Sequence, residues 1–75
     1  MKLFDGRVSQ CVDYVPVRYE GKWACELTTV EGEKFLDKDL LTGKAIEFET
    51  EKQAKEYCSS MMDLVRVLNE SKANI

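Results

Sequence analysis

Histidine is absent from all 75 residues. Without an imidazole there is no Ser-His or Cys-His dyad, and the commonest general base is missing. Cysteine is scarce. Cys11, Cys25 and Cys58 stand far apart, with no C-x-x-C. A structural zinc site takes four Cys or His ligands at short spacings, so no metal site is expected. The three thiols read as small buried hydrophobes in a reducing compartment, and no disulfide is indicated. Glycines occur singly at Gly6, Gly21, Gly32 and Gly43, so there is no glycine-rich phosphate loop and no cofactor is expected. A basic excess is lacking too. Eleven Lys and Arg against fourteen Asp and Glu leave a net charge of -3, the wrong sign for a general nucleic-acid binder. No apolar run approaches the roughly 20 residues that span a bilayer. The start, Met1-Lys2-Leu3-Phe4-Asp5-Gly6, has no apolar signal-peptide core. A cytoplasmic location is expected, with no membrane contact.

What is present is an ordinary globular composition. Hydrophobic residues make up 44% and charged residues 33%, enough apolar content to argue against disorder. Residues 1–75 read as a single domain, with 1–9 and 70–75 expected to be least ordered. A chain this short buries only about 60% of its unfolded surface. It can present a surface but has little room for a deep catalytic cleft.

The most legible stretch runs from Ala45 to Leu68. Thr50 and Gln53 have the spacing of a capping box. Beyond them Ala54, Tyr57, Cys58, Met61, Leu64, Val65 and Leu68 recur at helical spacing, in a stripe roughly 120° wide. The polar side carries Glu51–Lys55 and Arg66–Glu70 as i,i+4 pairs. Met62 lies at the margin of the stripe and Val67 opposite it.

Upstream the pattern is that of a sheet. Cys11 to Tyr19 is rich in β-branched and aromatic residues, and Pro16 puts it at a sheet edge or turns its Pro16 side outward. Lys22 to Thr29 is a second strand and Glu33 to Leu36 a short third. Asp37 to Gly43 is a helical turn or loop, and Lys44 to Glu49 a last strand with Ile46 and Phe48 inward. Asp5-Gly6 marks a bend or small hairpin. For the first hairpin, a three-residue loop Tyr19-Glu20-Gly21 with Gly21 left-handed puts Val15 and Val17 on the face of Trp23, Cys25 and Leu27. Ala24, Glu26 and Thr28 then point away, and so does Arg18. The fold class is α+β: a small antiparallel sheet of three to four strands packed against one C-terminal helix, in the order β-β-(β)-β-α.

No catalytic constellation emerges, and the chain is not expected to be an enzyme. Only Cys11 is a candidate for an exposed thiol. Asp37-Lys38-Asp39 lacks the glycine and terminal glutamate of an EF-hand loop. Glu47 and Glu49, two apart on one strand, read as solvated surface acids.

Gly21, Trp23, Gly32, Phe48-Glu49-Thr50 and Ala54 fall in an order similar to the DNA-binding modules of the AP2 and integrase arm-binding type. These place a three-stranded sheet against one helix. The resemblance covers residues 15–68 and implies a fold, with a nucleic-acid-binding sheet face as the alternative function. Such modules carry Arg and Lys on that face. Here it offers Glu26, Glu47 and Glu49, and a duplex needs cations to displace its counterions.

The leading expectation is therefore a non-catalytic protein-binding module, an inhibitor or regulator of the small acidic kind found in phages and mobile elements. It would present an anionic surface to a basic partner or pair with a second copy of itself. Glu26, Glu47, Glu49, Met62 and Val67 are the candidate contact residues.

Overall fold

The computed structural model describes residues 2–73. It is an α+β fold in which four antiparallel strands pack against one C-terminal helix, as the pattern predicts. Strands β1 (Cys11–Tyr19) and β2 (Lys22–Thr29) form the main hairpin. The far edge of β2 is shared end to end by two short strands. β3 (Lys34–Leu36) pairs with Glu26 to Thr28, and β4 (Glu47–Phe48) pairs with Trp23 and Ala24. β1 is an edge strand, where Pro16 costs no internal ladder bond. Helix α1 (Glu51–Ala73) covers one face. Asn74 and Ile75, part of the tail expected to be least ordered, lie outside the described residues.

The start of α1 is built as its sequence predicts. Thr50 Oγ1 accepts from the Gln53 N–H at 3.2 Å, and Gln53 Oε1 accepts from the Thr50 N–H at 3.3 Å. Both arms of the capping box are therefore made. The same Oε1 also accepts from the Glu49 N–H at 3.1 Å, tying the end of β4 to the first turn. Glu51 pairs with Lys55 as expected, at 3.0 Å. Arg66 turns back to Asp63, at 3.5 Å, rather than forward to Glu70; both directions are one turn away on a helix surface.

The hairpin register corrects the expectation. Tyr19 pairs with Lys22, Arg18 with Trp23, Val17 with Ala24 and Tyr14 with Leu27. The loop is the two residues Glu20-Gly21, both at positive φ (50° and 81°), as in the primed turn that matches strand twist. Val15 and Val17 consequently face away from α1, and Arg18 faces toward it, its guanidinium 5.2 Å from the Trp23 ring centroid. A shift in pairing between Cys11 and Asp13 marks a β-bulge, which leaves Val12 exposed and brings Cys11 inward with Tyr14. This register buries Tyr14, a larger apolar body than either valine, and that is why it prevails. The β2 half of the expected inner face is correct: Cys25 and Leu27 are fully buried.

The core under α1 is Cys11, Tyr14, Cys25, Leu27, Cys58 and Val65, with Phe35, Tyr57, Met61 and Met62 packed around it. Cys11 is thus buried, not exposed as expected. Leu64 is 43% exposed, at the edge of the stripe rather than within it. Residues 2–4 run beside β3: Leu36 donates to Lys2 O at 3.0 Å and Phe4 donates to Leu36 O at 2.8 Å.

The last strand is shorter than expected because residues 38–45 pair among themselves. Lys38 and Ala45 form a bridge, and the Ile46 N–H donates to Asp37 O at 3.0 Å. Only Glu47 and Phe48 reach β2. Phe48 points inward as predicted, with its ring centroid 5.3 Å from that of Tyr57.

Candidate partner-binding surface

The side of the sheet away from α1 gathers the acids of the sequence reading, together with two lysines. Glu47 lies opposite Ala24, and Glu26 follows two residues along β2. Glu26 pairs with Lys34 at 3.7 Å and Glu49 with Lys22 at 3.3 Å. Arg18, expected here, is on the other face, so Lys22 and Lys34 are the cations of this side. Glu47 makes no ion pair among the described residues. It borders a shallow depression of about 520 Å³ together with Glu49, Glu56, Phe48 and Tyr57. The acid without an ion pair among the described residues is thereby concentrated at the junction of β4 and α1, where Glu47 and Glu56 line the same depression. Glu56 comes from the polar side of α1, so no strand alternation relates it to Glu47. Ala24 and Leu36 are 1% exposed, so this side is no bare sheet.

Met62 and Val67 are separated by the fold. Met62 is half-buried, packs on the core, and lines a groove of about 580 Å³ with Val12, Val65 and Asn69. Val67 stands 54% exposed outside that groove.

The turn expected between Asp37 and Gly43 is present, and the feature that sequence reasoning missed is what it displays, Leu40 and Leu41. Asp37 anchors the turn. Its N–H donates to Cys25 O at 2.9 Å, one carboxylate oxygen accepts from the Lys38 N–H at 2.9 Å, and the other accepts from the Tyr57 hydroxyl on α1. The tip then closes on itself. Asp39 N–H donates to Lys44 O and Gly43 N–H to Asp39 O, both at 2.8 Å. Leu41 N–H donates to Asp39 Oδ1 at 2.8 Å, an Asx turn, and Gly43 sits at φ 73°. Backbone and Asp39 thus hold the turn, and neither leucine side chain is used. Leu40 is 90% and Leu41 96% exposed. Single exposed leucines are common on surfaces. Here two adjacent ones are held almost wholly in solvent on a hydrogen-bonded turn and form an apolar projection. The signal was in the sequence as Leu-Leu between Asp39 and Thr42-Gly43, a turn with no buried side for them.

The thiols and phenols of the core are held neutral. Burial pushes Cys25 and Cys58 above the ordinary thiol value. Burial also raises Cys11, whose hydrogen bond with Tyr14 acts in the opposite sense. Tyr14 and Tyr57 are raised by burial and then by their hydrogen bonds to Cys11 and Asp37. A buried thiol held protonated is a poor nucleophile.

No protein-family model, curated protein or solved structure matches this chain. The order shared with the sheet-plus-helix DNA-binding modules therefore stands as a likeness of arrangement. No helix among the described residues is long and apolar enough to cross a membrane.

Proposed function

We propose that this chain is a non-catalytic protein-binding module. In this reading the Leu40–Leu41 tip enters an apolar pocket on a partner protein, and the acids at the β4–α1 junction steer it toward a basic surface. The observation that carries the reading is the near-complete exposure of both leucines on a turn whose own hydrogen bonds fix it. A contact prepared in this way loses little conformational entropy on binding. Burying two leucine side chains is worth about 3–6 kcal/mol, or roughly 10²–10⁴ in Kd.

The test compares the wild-type chain with the Leu40→Ser/Leu41→Ser double variant as baits against the same lysate. A partner retained by the wild type and lost from the variant at unchanged Tm supports the reading. Equal retention by both baits overturns it. Charge reversal at Glu47 and Glu56 is expected to slow association and to reduce its dependence on salt.

A further inference from the structure

Cys25 on β2 and Cys58 on α1 face each other across the interface between sheet and helix, their sulfurs 3.0 Å apart. Both are free thiols, 0% and 4% exposed. They are 33 residues apart in the chain, so only the packing of α1 on β2 brings them together. The third thiol is placed differently. Cys11 Sγ lies 3.9 Å from the Arg7 carbonyl oxygen, not against another sulfur.

We propose that Cys25 and Cys58 are a latent disulfide, a site at which two-electron oxidation by a peroxide staples α1 to the central strand. The S–S bond length is about 2.05 Å, so the sulfurs need close by only roughly 1 Å. With hydrogen peroxide the atoms balance as follows. The Cys58 thiolate attacks one peroxide oxygen and the O–O bond breaks. The released hydroxide takes up the thiol proton as water, leaving a sulfenic acid on Cys58. The Cys25 sulfur then attacks the Cys58 sulfur. The S–S bond forms, the S–O bond breaks, and the second water leaves with the Cys25 proton. In sum two thiols and one peroxide give one disulfide and two waters, with two electrons passing from sulfur to oxygen. Either sulfur can donate across the contact, and Cys58, 4% exposed against 0% for Cys25, is the more accessible of the two to peroxide. Burial keeps thiolate scarce on both, so the reaction waits on local opening of α1 from the sheet and is slow in the folded protein.

Once formed, the staple closes a long loop in the unfolded chain. It should shift the folded-to-unfolded ratio by about 10²-fold and raise Tm by roughly 10 °C or more. The experiment treats the full chain with hydrogen peroxide and follows intact mass, free thiols counted in denaturant, linked peptides and Tm. The expected product is monomeric and has lost two hydrogens. It keeps one alkylatable thiol, Cys11, yields a Cys25–Cys58 linked peptide, and returns to the starting Tm with dithiothreitol. Cys11→Ala is expected to give the same staple. Three free thiols after prolonged oxidation, a link through Cys11, oxygen adducts on Cys25 or Cys58 without a link, disulfide-linked dimers or an unchanged Tm would each overturn the proposal. Peptide mapping on the wild type decides the question without a variant at Cys25 or Cys58.

Discussion

Glu20 occupies a conformation that L-residues other than Asn and Asp adopt at a cost. Its φ is 50°, beside Gly21 at 81°, and together they close the β1–β2 hairpin. Left-handed backbone costs a residue with a Cβ about 1–2 kcal/mol, and Asn recovers part of this through its short polar side chain. The Glu20 side chain is exposed, so replacing it removes no buried contact. Glu20→Asn should therefore stabilise the protein by about 0.5–1 kcal/mol. For a domain of this size that is about 2–8 °C in Tm. Gly21→Ala meets nothing within 4 Å, so its cost is backbone strain alone, about 1–2 kcal/mol in the opposite direction. Thermal unfolding followed by circular dichroism on the two variants reads both numbers. A three-residue loop would need only Gly21 left-handed. If Gly21→Ala destabilises while Glu20→Asn is neutral or harmful, the two-residue loop is wrong, and with it the placement of Tyr14 and Arg18 on the helix side.

Thr50→Ala removes the hydroxyl of the capping box and should cost about 1 kcal/mol, read as a lower urea midpoint at unchanged m-value; no loss would mean that the first turn of α1 is capped otherwise. Tyr57→Phe deletes the hydroxyl that α1 donates to Asp37 and should cost about 1–2 kcal/mol, with faster amide exchange at Asp39, Leu41 and Gly43 as the specific sign that the Leu40–Leu41 turn has lost its anchor. Stability should also fall in alkali. Cys25, Cys58, Tyr14 and Tyr57 are all raised in the folded state above ordinary values of 9.0 and 10.0. The unfolded chain releases protons there that the folded chain retains, so their contribution is complete below about pH 8 and declines as pH rises from there. Urea midpoints at pH 7.5, 9 and 10 check this, and a flat profile would contradict the burial of these groups.

The acidic row shows how a correct residue list can still mislead about charge. Glu26, Glu47 and Glu49 do share the side of the sheet that alternation assigns to them. Lys22 and Lys34 alternate onto the same side and neutralise two of the three. The Lys22–Glu49 pair is exposed and contributes little to stability, Glu26 is mostly buried in its pair with Lys34, and both pairs change the field a partner meets. The net acid lies instead where Glu56 of α1 joins Glu47, a juxtaposition between two elements.

What the sequence determined by itself was local. The Thr50–Gln53 box, the stripe from Ala54 to Val65 and the inward Cys25 and Leu27 all follow from periods of 3.6 and 2 and from side chains bonding within a few residues. Only the tertiary structure decided the β1 register. Alternation permits either Val15 and Val17 or Tyr14 and Pro16 beneath α1, and gathering the valines with Trp23, Cys25 and Leu27 around a single left-handed Gly21 favours the former. Burial of Tyr14 and Cys11, with a bulge at Val12, outweighs that local preference. Leu40 and Leu41 are apolar, yet the turn carrying them folds on its own hydrogen bonds and offers no interior to enter. Cys25 and Cys58 meet because a helix lies across a strand, a contact between residues far apart in the chain that no local pattern encodes.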